Sequence, residues 1–468
     1  MGQGDPDRED GTTGQGRRGG LLGSIWRSVT LGDPAVPRTD VERIRATVHT
    51  LFFHLRPVRV PAGALRFTRT LGLGGAAVVL LSALLATGLL SMLVYQPVPG
   101  AAWDSVLLLE RDVPFGSLVR GIHYWSANLL VVVLLAHAAR VFLTGAFHGA
   151  RQFNWVVGTL LLALVLGNAF TGYLLPWDQL SYWAVTISTA MLAYVPFVGP
   201  ILERVARGGT DVGPGTLTVF YTIHTSIVPA LLLVGTGFHF WRVRKAGGVV
   251  LPPRPQDGPE EGARVLFLPN LLTREVVAAL VWIAIVVVLG AAVGAPLGER
   301  ANTGMSPNPA KAPWYFVGVQ ELLVHLHPLF AVVVLPLCAV LGFVLLPYLT
   351  ADGEPEGAWF LSGRGRRTAA IAFATALLAT PLVVFAHGAM PLARAGARSW
   401  LMGGLLPTAT LLGFVWAFAL FVRHVWKTSR NETVQVVVVL LGVIFAVLTL
   451  IGFTFRGEGM ALTWPWGP

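Results

Sequence analysis

A chain of 468 residues that is 54% hydrophobic and only 12% charged is excluded from the ordinary soluble classes. Its net charge of +10 would suit a nucleic-acid partner, but the placement of the charges argues against one. Eleven arginines fall in the first 69 residues, and further basic clusters sit at Arg242, Arg244 and Lys245 and at Arg423, Lys427 and Arg430. The loops 96–119 and 177–219 are neutral to acidic. This asymmetry follows the positive-inside rule for a multi-pass protein of a cell's inner (cytoplasmic) membrane, with its N-terminus in the cytoplasm. The single cysteine, Cys338, can form no intrachain disulfide, and no CxxCH motif is present to tether a haem.

In chain order, residues 1–24 are rich in Gly, Asp and Arg and read as disordered. They lack the apolar core of a secretory signal, so the first span must direct insertion. Residues 40–56 alternate basic and apolar faces and read as an interfacial helix. Nine apolar stretches of bilayer-spanning length follow, near 70–95, 120–143, 154–176, 220–243, 275–295, 328–349, 368–388, 402–423 and 433–454. The fold class expected is therefore all-α, a polytopic membrane helix bundle whose C-terminus lies outside.

The second stretch carries His123 and His137, fourteen residues apart, and the fourth carries His224 and His239, fifteen apart. At about 100° per residue, fourteen residues return a side chain to within roughly 40° of the first, about 21 Å along the axis. Two helices with two histidines each can clasp two stacked hexacoordinate metals. Haem is the natural occupant, one His from each helix to each iron. The plainer reading, hydrogen-bonded histidines inside a bundle, suits a single one. Ionisable residues in membrane helices are costly and usually functional, and four in matched pairs favour haem.

The first and third stretches carry Gly74 and Gly88, and Gly158 and Gly172, each pair also fourteen apart. Small residues in membrane helices usually mean close packing. Here the shared period also fits room for two flat porphyrins. Arg120 and Arg140 bracket the first histidine helix. They read either as snorkelling ends or as partners of haem propionates. Two loops rich in Pro and aromatics, GYLLPWDQLSYW (172–183) and NPAKAPWYFVGVQELLVHLHP (308–328), fall on the same, outer, side and predict a concave apolar site there. Between them, 246–272 is a Pro/Gly/Glu-rich cytoplasmic linker.

These histidine spacings and the PWDQ and PWY loops resemble the cytochrome b/b6 family, the haem-bearing subunit of quinol–cytochrome c or plastocyanin oxidoreductases, over roughly residues 40–390. The fifteen-residue spacing and PWDQ resemble the b6 branch, with subunit IV fused after the linker. The resemblance implies five segments. Residues 1–39 form a disordered cytoplasmic segment, 40–245 a dihaem four-helix domain and 246–272 the linker. Residues 273–390 form a subunit IV-like domain, and 391–468 add extra membrane helices to which no role attaches. It implies two non-covalent b haems, with His123 and His224 holding the outer, low-potential one and His137 and His239 the inner, high-potential one. It also implies quinol oxidation near Tyr315, a Rieske iron–sulfur protein and a c-type cytochrome as partners, and a homodimeric complex.

Arg244 and Lys245 are candidates for the inner quinone or a propionate, or serve as plain anchors. Where the family has PEWY, this chain reads Ala312-Pro313-Trp314-Tyr315, so the expected carboxylate is missing. Gly72 stands where b6 proteins tether a third haem. Glu321 and Asp178 are the rival candidates to take the quinol proton. Glu321 would do so with a pKa raised by an aromatic environment, unless it meets water or a partner's basic residue. The alternative function is a dihaem anchor passing electrons from quinol without bifurcation, which would not need the PWDQ and PWY loops. A transporter would instead place charges along a midplane path.

Overall fold

Lipid offers no hydrogen-bond partners, so an apolar stretch crossing it must satisfy its own backbone as a helix. The computed structural model describes residues 57–251, 263–359, 362–389 and 399–464, which fall in one unit. The segment 1–39 and the interfacial helix expected over 40–56 lie outside the described residues. The described helices, in order, are α1 (Leu73–Met92), α2 (Ala102–Arg111), α3 (Gly116–Leu143), α4 (Gly149–Leu174), α5 (Gln179–Ala190), α6 (Gly199–Arg207) and α7 (Pro214–Lys245). They continue as α8 (Asn270–Ala292), α9 (Trp314–His325), α10 (Leu329–Leu349), α11 (Gly363–Gly388), α12 (Trp400–Val425) and α13 (Arg430–Thr454). Among the described residues nine are long and apolar enough to cross a membrane: all but α2, α5, α6 and α9. These nine coincide with the nine stretches read from the sequence.

The helices are apolar nearly all round, because their outer faces meet lipid rather than water. Leu280, Val281 and Val288 of α8 are exposed, as are Leu378 and Leu382 of α11. The buried core of the N-terminal half runs through α1, α3, α4 and α7, where Leu80, Leu130, Val131, Val165, Val228 and Leu232 meet. Helix α8 joins this bundle by backbone contact. A Cβ on Gly121 would fall within 3 Å of Gly290, so these two helices cross as closely as glycine permits.

Three spans contain a wide π turn: Ile223–Ile227 in α7, Leu329–Val334 in α10 and Trp400–Leu405 in α12. Each is followed, two residues beyond its end, by Pro229, Pro336 or Pro407. A proline inside a helix lacks the amide donor and presses on the carbonyl four residues back, and the widened turn relieves that clash. One of these turns holds His224.

Part of the stretch read as a linker forms regular structure. Arg264–Leu266 pairs antiparallel with Arg59–Pro61, Val60 opposite Val265, and Phe267 donates its N–H to the Val58 carbonyl at 2.9 Å. At the same end of the bundle, the loop after α10 is fastened to the start of α13. Gln435 Oε1 accepts from the N–H groups of Gly357 and Ala358 at 2.6 Å, and Asn431 binds both backbone groups of Ala351. His148, between α3 and α4, reaches across to Glu356 at 2.5 Å and Asp352 at 3.3 Å.

The hydrogen bond and charge of Glu356 hold the His148 imidazole above the ordinary histidine range. A histidine whose pKa is raised by folding stabilises fully below its unfolded value, and the gain fades as pH climbs through the raised value. His148→Gln should therefore lower stability by about 1 kcal/mol at pH 6, with the deficit vanishing in alkaline solution. Thermal unfolding of the detergent-solubilised protein across that pH range measures this.

Candidate functional site

The four histidines fall into two pairs stacked along the bundle. His123 of α3 faces His224 of α7 with ring centroids 6.2 Å apart and planes at 65°. That gap leaves room for a metal lying about 2 Å from one nitrogen of each ring. His137 and His239 lie within electrostatic reach of each other at the other end of the same two helices.

The tautomers follow from the partners. Thr87 Oγ1 donates its one proton to the Ala83 carbonyl at 2.6 Å, so the 2.9 Å contact with His123 Nδ1 requires the ring to donate. His224 Nδ1 likewise donates to the Asn168 carbonyl at 2.9 Å. Both rings are left with a bare Nε2, the form that ligates a metal. His239 Nδ1 is turned towards the backbone of Asn154 but is buried short of a full hydrogen bond.

Each histidine faces one of the four glycines. A Cβ on Gly88 would lie 3.4 Å from the His123 ring, one on Gly74 3.7 Å from His137 and one on Gly158 3.3 Å from His239, and one on Gly172 would collide with His224. The glycines on α1 and α4 thus clear the flanks of the rings on α3 and α7, at both levels. Leu80, Leu130, Val131, Val165 and Leu232, near the midpoints of the four intervals, make a dry layer between the levels. These residues fit two flat, bis-histidine-ligated groups.

Residues 62–247 match the family model described as Cytochrome b/b6/petB. Cytochrome b6 of Prochlorococcus marinus (strain MIT 9303) is 42% identical over 175 residues, which is 37% of this chain and 80% of that protein. Cytochrome b6 of Synechococcus sp. (strain WH7803) shows the same figures. The chain belongs to the cytochrome b/b6 family. It is accordingly a multi-pass membrane protein that binds two b haems, a haem b subunit of bc-type oxidoreductase assemblies. A chain of a solved structure titled "Hyperthermophilic respiratory Complex III" shares its fold, with TM-score 0.57 and 23% identity over 82% of this chain and 91% of that one. This likeness reaches past the end of the family match into the helices after the linker.

In this cytochrome b, the start of α9 packs on α3 and α4. Trp314 Nε1 donates to Asn128 Oδ1 of α3 at 2.8 Å, and Trp314 and Tyr315 pack on the bundle core. Phe316 meets Phe170 at 6.1 Å. Burial, with Tyr124 beside it, pushes the Tyr315 hydroxyl up to about 12, so it keeps its proton and can donate.

Asp178 takes a different place from the one expected of a proton relay. Its Oδ1 accepts from Ser181 N at 2.9 Å, capping α5, and its Oδ2 accepts from Gly298 N at 3.0 Å. Gln179 Oε1 accepts from Asn302 N at 2.6 Å, and Trp183 Nε1 donates to the Asn302 carbonyl at 3.0 Å. The PWDQ loop is a fastener for the loop before α9.

Glu321 requires a correction of its expected pKa. It does not sit free among aromatics: its side chain is fully buried and bound by Arg456 and His325. Burial alone would raise its pKa, but these hydrogen bonds and charges outweigh it and hold the carboxyl below the usual range. Arg456, just past α13, was invisible to the motif reading, although a lone arginine ending an apolar span was a signal.

The Arg120 guanidinium pairs with Glu110 and donates to the carbonyls of Ala295 and Pro296. Arg140 donates to the Val250 carbonyl at 2.9 Å while its Nε is buried with no protein partner. Arg244 lines a cavity of about 380 Å³ with Arg59 and Arg264, and Lys245 lies 5.8 Å over the Trp241 ring.

A leucine at Gly88 or Gly172 would fill the flank of the His123–His224 pair, and one at Gly74 or Gly158 that of the His137–His239 pair. Each such variant should hold one haem per chain instead of two, read by pyridine haemochrome against protein concentration.

Proposed function

We propose that this chain oxidises quinol at the outer end of the bundle and passes electrons inward through two haems, within a complex that releases the quinol protons outside. The observation that carries this reading is the stacking of two histidine pairs in one bundle, with the aromatic PWY helix packed against its outer end. His123 and His224 would hold the outer haem, and His137 and His239 the inner one. A bound haem iron supplies reversible one-electron chemistry.

The protein's own contribution is positional. Thr87 and the Asn168 carbonyl fix two rings with Nε2 bare, and the dry layer at Leu130 and Val131 keeps the two levels apart. Tyr315, protonated and half-buried among Trp314 and Phe316, offers a donor to a quinone oxygen while the rings exclude water. Glu321 is the base for the quinol proton in place of the missing PEWY carboxylate. Asp178 instead caps α5 and clasps Gly298 N, which suits a fastener rather than the base. Arg140, with its unpartnered Nε beside the inner pair, is the propionate partner, whereas Arg120 is held by Glu110. Arg244 and the neighbouring arginines would face an inner quinone.

Rieske and c-type cytochrome subunits, a dimeric assembly, and residues 273–390 acting as a fused subunit IV complete the proposal. Quinol releases two electrons, one to the Rieske protein and one inward across the membrane.

The test is rapid mixing of the purified complex with a quinol analogue and oxidised c-type cytochrome, following b-haem absorbance. Haem reduction together with cytochrome c reduction is expected. Tyr315→Phe should slow both about tenfold with two haems retained, as the loss of one ordinary hydrogen bond does. Parent protein whose haems stay oxidised under quinol would overturn the reading.

A further inference from the structure

Four polar side chains from three separate segments converge beside the PWY helix, in a region otherwise apolar. Glu321 and His325 lie one turn apart on α9, His387 comes from α11, and Arg456 follows α13. Glu321 Oε1 is 3.1 Å from His325 Nε2, and His325 Nδ1 is 2.9 Å from His387 Nδ1, the two rings edge-to-face at 4.7 Å. Arg456 holds both Glu321 oxygens, its Nε at 3.2 and 3.0 Å, and donates through Nη1 to the Met460 carbonyl at 2.8 Å. Its Nη2 also lies 3.2 Å from His325 Nε2.

A buried ion pair explains Glu321 and Arg456 by themselves. It does not explain the two histidines. A 2.9 Å contact between two Nδ1 atoms forces one to carry a proton and the other to be bare. His325 Nε2 meets a carboxylate, to which it donates, and also an Arg N–H, from which it accepts. Both tautomers of His325 are therefore provided for. With Nε2 protonated, the ring donates to Glu321 and accepts from His387. With Nδ1 protonated, it accepts from Arg456 and donates to His387. Exposure rises along the same line, from 0% at the Glu321 side chain to 13% at His325.

We propose that Glu321, His325 and His387 form a proton relay that carries a quinol proton from the PWY site outwards, with Arg456 as its positioning residue. It rests on the quinol-oxidising reading above and deepens it. Glu321 takes a proton as quinol is oxidised. The neutral acid passes it to His325 Nε2 while His325 Nδ1–H goes to His387 Nδ1, so every transfer makes one N–H or O–H bond as it breaks another. The His387 imidazolium then releases its Nε2 proton outwards, and proton exchange returns His325 to its Nδ1-protonated tautomer. Arg456 stabilises the Glu321 carboxylate that each transfer leaves. Besides these four groups, Lys311 approaches from the loop before α9, bonded to the Phe453 carbonyl at 3.1 Å. The relay gives the helices beyond residue 362 a part in the chemistry, since His387 and Arg456 both come from them.

His387→Gln, at the outer end, leaves the buried ion pair intact and is the variant of choice, with His325→Gln as the second. The intact complex is assayed for quinol oxidation between pH 5.5 and 9.5, with haem content and thermal midpoint measured alongside. Both variants should turn over about tenfold more slowly at pH 6.5, approach the parent in alkaline buffer, and hold two haems with an unchanged midpoint. Added imidazole should restore His387→Gln by at least threefold, which a merely structural role would not allow. Turnover within twofold of the parent at every pH, or a loss that is independent of pH and of imidazole, overturns the relay. A parent complex whose haems quinol does not reduce overturns the functional reading itself, a separate result.

Discussion

Every polar group carried into lipid must find its partner inside the protein, and this constraint organises the whole molecule. The backbone meets it by forming helices. His123 and His224 meet it on one side of each ring, through Thr87 and the Asn168 carbonyl, which leaves the other nitrogen of each ring bare. Bare imidazole nitrogens at His123 and His224, set in a hydrocarbon-like interior, favour a bound group between them. The glycines beside the rings leave the room for it.

The membrane spans and the paired levels were legible in the sequence because both are periodic. Nine apolar runs of bilayer length need no tertiary context, and the shared fourteen-residue interval of Gly74/Gly88, Gly158/Gly172 and His123/His137 needs only helical geometry. What could not be read was pairing between distant segments. Arg120 and Arg140 look equivalent as brackets of one helix, yet Glu110 occupies the first, while the second keeps a buried, unpartnered Nε. Asp178 in a motif looked chemical and proved to be a helix cap. Glu321 looked isolated because Arg456 lies more than 130 residues away in the chain. The expectation for its pKa had the right burial but lacked the opposing charge, which changed the sign.

The three π turns belong to the same logic. Each relieves a proline that would otherwise break a span, and each rotates the residues before it relative to those after it. In α7 the turn includes His224, so the fifteen-residue interval to His239 spans a helix with one extra residue in a turn. The unequal spacings, fourteen on α3 and fifteen on α7, can then serve matched levels.

The contacts that bridge the linker have a consequence for how such a protein can be made. The strand pair Val60–Val265 holds one end of the bundle, and the Gly121–Gly290 crossing and the Asp178–Gly298 hydrogen bond hold its other end, all between the parts before and after residues 252–262. The peptide connection across that stretch is thus mechanically redundant once the chain is folded. Gene fission or fusion at this point changes the number of polypeptides to be synthesised and matched, and little about the assembled particle. Continuous translation secures equal amounts of the two halves and spares them a search for each other in the membrane.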